Sequence, residues 1–585
     1  MSRLAGVVLA GLVLAVLPAP VAAAGVPERC PGAAIEPDRV ITGSFHSSLQ
    51  GSYVLLPFDV PEGTTAVRVK YCWDGSDSPL ASIAGDTLDL ALYEARPGPG
   101  RLWGKDEFRG SSGSAIRDVT VSPEGFSSEE EYLADRKGRV PGKTTRGYEP
   151  GPIPAGEWAV ELGVAGVVPA SYGDSDGVVH WRVEIELGDD PAYADEPYEP
   201  APYDTRPARS EPGWYAGDFH VHADHEPGNA PMREVFDYAF RPLSEGGAGL
   251  DFIWLSEHNT DSHWGEIGRH QARYPGKLIG RSAEVTTYRG HLNNHGSATF
   301  VDYRTGPVYE RNPDGSLTLL RPARPASAVF DDIHAAGGFT QVNHPAIFPS
   351  FVPLFELFCR GCSWDYSGAE TDWRKVDAIE IATGPGGLND PLKIGPNPFT
   401  LLALFRYQAA LASGPDVRIA AVGSSDSHHA GVATNPITQA PIGQATTVVY
   451  ADELSEDGIR RGVEAGHTYV KLYGNDGPDL RFEAREQGSG GPPAIMGDTL
   501  RTRKPVEFKA RVIGAAPLSG RDPRKPDPYE LIVTWNGLPL LAVPILSDDV
   551  TIPFTLPVPL PGRWALQLHR GTTIEAVTTP IHVVG

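Results

Sequence analysis

Cysteine is scarce, with four residues in a chain of 585, at positions 30, 72, 359 and 362. Cys359-Arg360-Gly361-Cys362 lacks the strand-to-helix context of a thioredoxin-like redox motif, and a thiolate zinc site would need a second pair of ligands nearby. Cys30 and Cys72, and Cys359 and Cys362, read instead as structural disulfides of an oxidising compartment, with three pairings formally open. Positive charge is also short. Lys and Arg number 50 against 74 Asp and Glu, leaving a formal net charge of -24. No basic stripe offsets it, which excludes a nucleic-acid partner. Beyond the N-terminus no stretch is long and apolar enough to cross a membrane. Residues 1–24 read as a secretory signal: Arg3, an apolar Leu4–Leu17 core, then Ala22-Ala23-Ala24 before Gly25. Pro18 and Pro20 argue against an uncleaved anchor, and Glu28-Arg29 before Cys30 is not a lipoprotein context. A secreted protein without integral membrane contact is expected.

What is abundant is turn-forming residues, Gly 66 and Pro 55, which favour short strands. The chain is too long for one core. From 30 to 188 the pattern is all-β: Val67, Val69, Tyr71 and Trp73 alternate with Arg68, Lys70 and Cys72, as Trp181, Val183, Ile185 and Leu187 do with Arg182, Glu184 and Glu186. A β-sandwich is expected there, able to contact cell-wall glycan or other carbohydrate or simply to cover the next domain. Residues 189–211, rich in Pro, Tyr and acids, read as a linker. From 212 to 475 strands alternate with helices. One helix is expected with Asn229 as its N-cap and Pro231 in its first turn, burying Met232, Val235, Phe236, Ala239, Phe240 and Leu243 and stopping at Gly246-Gly247. The β-α-β order predicts a closed or nearly closed parallel barrel. From 478 to 585 a second sandwich is expected, with Asn536-Gly537 as a hairpin turn.

Chemistry collects in the central part. Of 17 histidines, all but His46, His180, His569 and His582 fall there. His220 and His222 end the first strand, and alternate residues of a strand share a face. His258 follows Leu255, Glu284 ends the next strand with His291 shortly after, His344 follows Val342, and Asp426 and His428 follow Val422. Every one lies at the C-terminal end of a predicted strand, where parallel barrels build their sites. Imidazole and carboxylate without thiolate suit Zn, Mn or Fe, and a carboxylate can bridge two cations. Such a site lowers the pKa of a bound water to about 7 and holds the hydroxide for attack.

The order H-x-H, E-H-N-T, E-V-T-T-x-R-G-H, N-H-P and D-S-H resembles the PHP (polymerase and histidinol phosphatase) superfamily of metallohydrolases. Glu284–His291 and Ser425-Asp426-Ser427-His428 look most like its carbaryl-hydrolase, or CehA/McbA-type, branch. The resemblance covers about 212–475 and implies a distorted (β/α)7 PHP-type barrel, here flanked by the N-terminal and C-terminal β-sandwiches, with two or three divalent cations. It implies that His220, His222, Glu284 and Asp426 hold one cation, Glu284, His291 and His344 a second, and His258 and His428 a third with a ligand from the first loop. Where that loop often continues S-D-G, this chain reads Glu226-Pro227-Gly228; His225 is the natural substitute for the missing acid, with Asp224 or Glu226 behind it. Glu257 stands where Asp is commoner. Arg281, Arg289 and His295 are candidate substrate contacts, since guanidinium grips phosphate at two points.

The expected function is a metal-dependent hydrolase using a metal-bound hydroxide on a small ester, with His220, His222, Glu284, Asp426 and His428 at the reaction. The PHP resemblance implies phosphoesters, and the closer family admits carbamate or carboxylic esters. Two alternatives compete. An amidohydrolase barrel also begins with H-x-H but typically ends with a lone Asp and often uses a carboxylated Lys. A binding module would keep the metal without turnover while the sandwiches grip glycan.

Overall fold

The computed structural model describes residues 25–585 apart from 80, 82–84, 99, 135–139, 141, 195–196, 227–228, 353–359, 384–397, 432–439, 516–527 and 559. The expected export signal at 1–24 and Cys359 lie outside the described residues.

Period-two alternation builds the N-terminal part. Val67, Val69 and Tyr71 point inward from the strand Ala66–Trp73, which lies between Val178–Gly188 and Asp118–Val121, with Arg39–His46 at the far edge. A second sheet, centred on Tyr53–Val60, Gly156–Gly166 and Thr87–Tyr93, faces it, and Leu56, Leu90, Trp158, Val160 and Trp181 fill the space between. Burial of each of these indoles contributes roughly 5 kcal/mol of gross hydrophobic transfer. Cys30 and Cys72 form a disulfide that ties the leading segment to the first sheet. Cys362 is disulfide-bonded as well. A hairpin from the central part, Val308–Arg311 and Leu317–Arg321, extends the second sheet by pairing parallel to Tyr53–Val60.

The central strands run in the order Gly213–Val221, Phe252–Leu255, Leu278–Thr287, Gly290–His295, Phe339–Val342, Ala378–Thr383 and Ala420–Ser424. The first three are mutually parallel, as are the last three. Gly290–His295 is antiparallel to both neighbours. Only Tyr288 and Arg289 separate it from the preceding strand, too few residues for the crossover that a parallel pair requires. The distorted (β/α)7 barrel expected from the sequence is therefore not shown by these strands. After Ala420–Ser424 the chain returns to the first strand, where Asp426 N donates to His220 O and His222 N to Ser427 O, each at 2.9 Å. The first strand also pairs antiparallel with Thr446–Ala451, and from there the sheet continues through Thr468–Lys471 into the C-terminal part. The whole is a multidomain, sheet-rich chain with few helices.

Helices cover the central sheet by burying one stripe. Met232–Phe240 buries Met232, Val235, Phe236, Ala239 and Phe240. It is shorter than its pattern predicts: Pro231 rather than Asn229 stands at the N-cap, and Leu243 falls in a following 3-10 turn and is exposed. In the C-terminal part Asp479–Glu486, Val506–Ile513 and Asp549–Leu556 pack on Tyr529–Trp535 and Gly562–Arg570 around Phe482, Phe508 and Trp564. Asn536 and Gly537, both at positive φ, make the tight turn between Tyr529–Trp535 and Leu538–Ile545. No helix among the described residues is long and apolar enough to cross a membrane.

Candidate metal centre

Strand ends set the site. His220 lies in the last turn of pleat of Gly213–Val221 and His222 one residue past its end, so their imidazoles project to one side. Glu284 stands toward the end of Leu278–Thr287, bridged through the backbone to His258, which follows the neighbouring strand. His291 begins the returning hairpin strand, and His344 and Asp426 follow the ends of Phe339–Val342 and Ala420–Ser424. Asn259, His344 and Asp426 hold positive φ (+49°, +24° and +52°). Non-glycine residues there cost on the order of 1–3 kcal/mol each, a strain that clusters where side chains must be aimed.

Two four-residue groups share His222. In the first, His220 Nε2 lies 3.3 Å from both Glu284 Oε2 and Asp426 Oδ1, and His222 Nε2 lies 3.2 Å from Asp426 Oδ1. In the second, Glu226 Oε2 lies 3.2 Å from His222 Nδ1, 3.0 Å from His258 Nδ1 and 3.6 Å from His428 Nε2. Glu284 reaches beyond the first group: His258 Nε2 is 2.6 Å from Oε2, while His291 Nδ1 and His344 Nε2 are each 3.2 Å from Oε1. Cys362 completes a third cluster with His291 and His344, but as a disulfide it offers no thiolate.

These donors fit divalent cations. His220 Nε2, His222 Nδ1, Glu226 Oε2, Glu284 Oε2 and His291 Nε2 are buried and make no hydrogen bond among the described residues. Orphaned polar atoms at such a density are costly unless something positive satisfies the oxygens and accepts the nitrogen lone pairs. Burial alone would push the Glu284 carboxyl up, yet His220, His258 and His291 hold it well below the usual carboxylate range. Glu226 is likewise held well below that range, burial being outweighed by His258 and His428. Both acids are thus ionised, as metal ligation requires, and cation binding would displace protons from the facing imidazoles.

A supporting layer orients the ligands. His220 Nδ1 lies 2.9 Å from Glu380 Oε1, and Glu380 Oε2 accepts from His344 N at 2.6 Å. His344 Nδ1 lies 2.8 Å from Cys362 O, leaving Nε2 for the site. Asn343 Nδ2 donates to Glu284 Oε1 at 3.0 Å. Glu257 accepts from Ala223 N at 3.0 Å and keeps its second oxygen 3.9 Å from His222 Nδ1. Such outer partners fix tautomer and ring orientation. Glu380 was not visible as a site residue in the sequence; the available signal was a lone acid between Ile379 and Ile381.

Not every candidate joins the cluster. His225 faces away: its Nδ1 is 2.8 Å from Ser262 Oγ, its Nε2 is 3.3 Å from Arg146 NH1, and its ring packs on Phe126. The loop donor in the His222–His258–His428 group is Glu226, one position before the place where the family pattern has Asp. Asp224 is also turned away, toward Arg146 at 3.2 Å. Arg281 pairs with Glu456 at 2.7 Å and lies over Tyr203. Arg289 is taken by Glu370 at 2.5 Å and lies over Tyr366. His295 is buried among Phe219, Trp254 and Phe339, with Nε2 3.2 Å from Gln341 Oε1. Burial pushes its pKa down to about 3. Thus none of Arg281, Arg289 and His295 points into the cluster.

A cavity of about 190 Å³ opens on the cluster between two parts of the chain. Glu226, His258, Asn259 and Thr286 line one side, and Asp89 and the Ser111–Ala115 loop of the N-terminal sandwich line the other. A larger cavity, about 620 Å³, lies at the Arg146–Asp224 pair and contains none of the clustered donors.

No family model and no curated relative matches the sequence. A crystal structure of a two-domain protein containing a predicted PHP-like metal-dependent phosphoesterase from Bacteroides vulgatus ATCC 8482 matches with 14% identity. The match covers 66% of this chain and 100% of that one, at a TM-score of 0.32. A TM-score that low shows neither fold nor family.

Proposed function

We propose that the chain is an exported, metal-dependent hydrolase of PHP type that cleaves an ester-type bond in a small molecule. The observation that carries the reading is the sharing of donors. His222 stands in two groups, and Glu284 reaches from one group to His258, His291 and His344. His220, His222, Glu284 and Asp426 would hold one cation, Glu226, His258 and His428 a second, and His291 and His344 with Glu284 a third. The N- and O-donor set suits Zn, Mn or Fe. Bound cations of this kind supply water activation and charge for a developing oxyanion.

The chain's own residues do the rest. Glu380 and Cys362 O hold His220 and His344 in the orientation that leaves Nε2 for the site. The sandwich loop Ser111–Ala115 narrows the mouth and limits solvent over the cluster. Substrate enters between that loop and Glu226–Asn259. The Cys30–Cys72 disulfide supports export to an oxidising compartment. Both phosphoesters and carbamate or carboxylic esters fall within the proposal, the CehA/McbA-type resemblance supporting the latter pair.

The test uses the mature protein and its His220→Ala/His222→Ala variant on a chromogenic panel of phosphomonoester, phosphodiester, carboxylic ester and carbamate. Turnover of one class by the wild type, lost in the variant together with bound metal, is expected. Metal content and activity that both survive the double substitution would sink the assignment.

A further inference from the structure

The N-terminal sandwich sends one acid into the cavity over the metal cluster. Asp89 lies on Thr87–Tyr93 and lines the same 190 Å³ space as Glu226 and His258. Its two oxygens are not equivalent. Oδ2 accepts a hydrogen bond from Tyr288 Oη at 2.8 Å, while Oδ1 makes none among the described residues.

Tyr288 sits in the turn between Glu284 and His291 and reaches into the sandwich to make that bond. Its ring stacks on Tyr53 at 5.2 Å. The slot it occupies exists because the residue paired with Asp89 across the sheet is Gly163, where a Cβ would stand 2.1 Å from Tyr288 Oη. Gly113, at φ +50°, borders Asp89 on the cavity side, where a Cβ would make only ordinary contact with Oδ1 at 3.7 Å. Pairing of a bare glycine with an acid that receives a tyrosine from the other half of the site is a built arrangement. With Oδ2 accepting from Tyr288, the proton of the protonated acid is carried on Oδ1, the oxygen left to donate.

We propose, resting on the hydrolase reading, that Asp89 is the residue that protonates the leaving oxygen of the substrate held at the metal cluster. In the step, water oxygen bonds to the phosphorus or acyl carbon. The bond from that atom to the leaving oxygen breaks and its electron pair stays on the leaving oxygen. The proton on Asp89 Oδ1 moves to that oxygen, and the proton released by the attacking water restores Asp89. Burial pushes the Asp89 carboxyl up to about 6 against the lowering effects of the Tyr288 hydrogen bond, Arg360 and His258. A proton donor is most effective when its pKa lies near the working pH. Burial likewise keeps Tyr288 protonated, so it stays a donor to Oδ2.

The experiment compares wild type, Asp89→Asn and Tyr288→Phe, all loaded with the same metal, on paired substrates of whichever ester class the wild type cleaves. One partner has an alkyl or phenyl leaving group, the other 4-nitrophenyl, which departs without a proton. Asp89→Asn should lower kcat on the first by about 100-fold or more, and on the second by a far smaller factor. Bound metal per chain and the melting temperature should stay at wild-type values. Tyr288→Phe, which keeps the acid but frees it to turn, should show the same preference with a smaller loss, and it serves if Asp89→Asn does not fold. Equal losses on both substrates, or loss of bound metal in Asp89→Asn, would overturn the role of Asp89 and leave the hydrolase reading standing. A metal-loaded wild type that cleaves no ester on the panel would overturn both.

Discussion

His220 Nδ1 and Glu380 Oε1 lie 2.9 Å apart, and both side chains are fully buried. The contact fixes which imidazole nitrogen faces Glu284 and Asp426. Glu380→Gln keeps the shape but removes the charge that supports the ring, so metal affinity should fall about 10- to 100-fold. A competition titration against a chromophoric chelator measures it. An unchanged affinity would reduce Glu380 to a packing role.

Glu226 and His225 are neighbours with opposite fates. Glu226→Ala should remove one cation per chain with little change elsewhere, because its Oε2 faces His222, His258 and His428. His225→Ala should keep every cation and cost about 1–3 kcal/mol of stability, as Ser262 and Arg146 lose a buried partner. Metal counting beside urea denaturation separates the two outcomes.

Their contrast marks what the sequence could and could not reveal. His220, His222, Glu284, His344 and Asp426 were legible together because strand periodicity placed each at a strand end. The choice between His225 and Glu226 was not, since a loop has no period and Arg146, which draws His225 away, is 79 residues distant in sequence. Arg281 and Arg289 read as anion binders because Glu456 and Glu370, which occupy them, lie 175 and 81 residues away. Gly290–His295 was missed as a strand because Asn293, Asn294 and His295 are polar, and a polar strand shows no burial pattern. The Val308–Arg321 hairpin pairs with a sheet that begins more than two hundred residues earlier. That partner cannot be read from local pattern.

Asp302 anchors a buried charge cluster with Arg304 at 2.9 Å and Arg321 at 2.7 Å, where Arg304 also meets Glu161 at 3.2 Å. Burial raises the Asp302 pKa, but Arg304 first, then Arg321 and Arg324, outweigh it and hold the group below the ordinary range. A depressed pKa contributes stability that is full above the unfolded value of about 3.9 and is lost as pH falls through the folded one. Asp302→Asn should therefore cost on the order of 3 kcal/mol at neutral pH. The difference from wild type should stay constant down to about pH 4 and shrink below it. Urea denaturation at several pH values checks both size and sign.

Chelation should destabilise the fold. Free ligand at 100 to 1,000 times its Kd stabilises by about 2.7–4.1 kcal/mol, a contribution that chelation removes. EDTA should lower the melting temperature of the wild type by more than that of His220→Ala/His222→Ala, which holds fewer cations to lose. An equal shift in both would place the bound metal elsewhere.

Bound metal per chain is the most direct measure of the central claim. Elemental analysis of the purified mature protein, dialysed against buffer with trace Zn and Mn, should give two or three equivalents. The His220→Ala/His222→Ala variant should fall by at least one equivalent while keeping its circular dichroism. A wild type that retains no divalent metal, or a double variant that retains it all, would contradict the account.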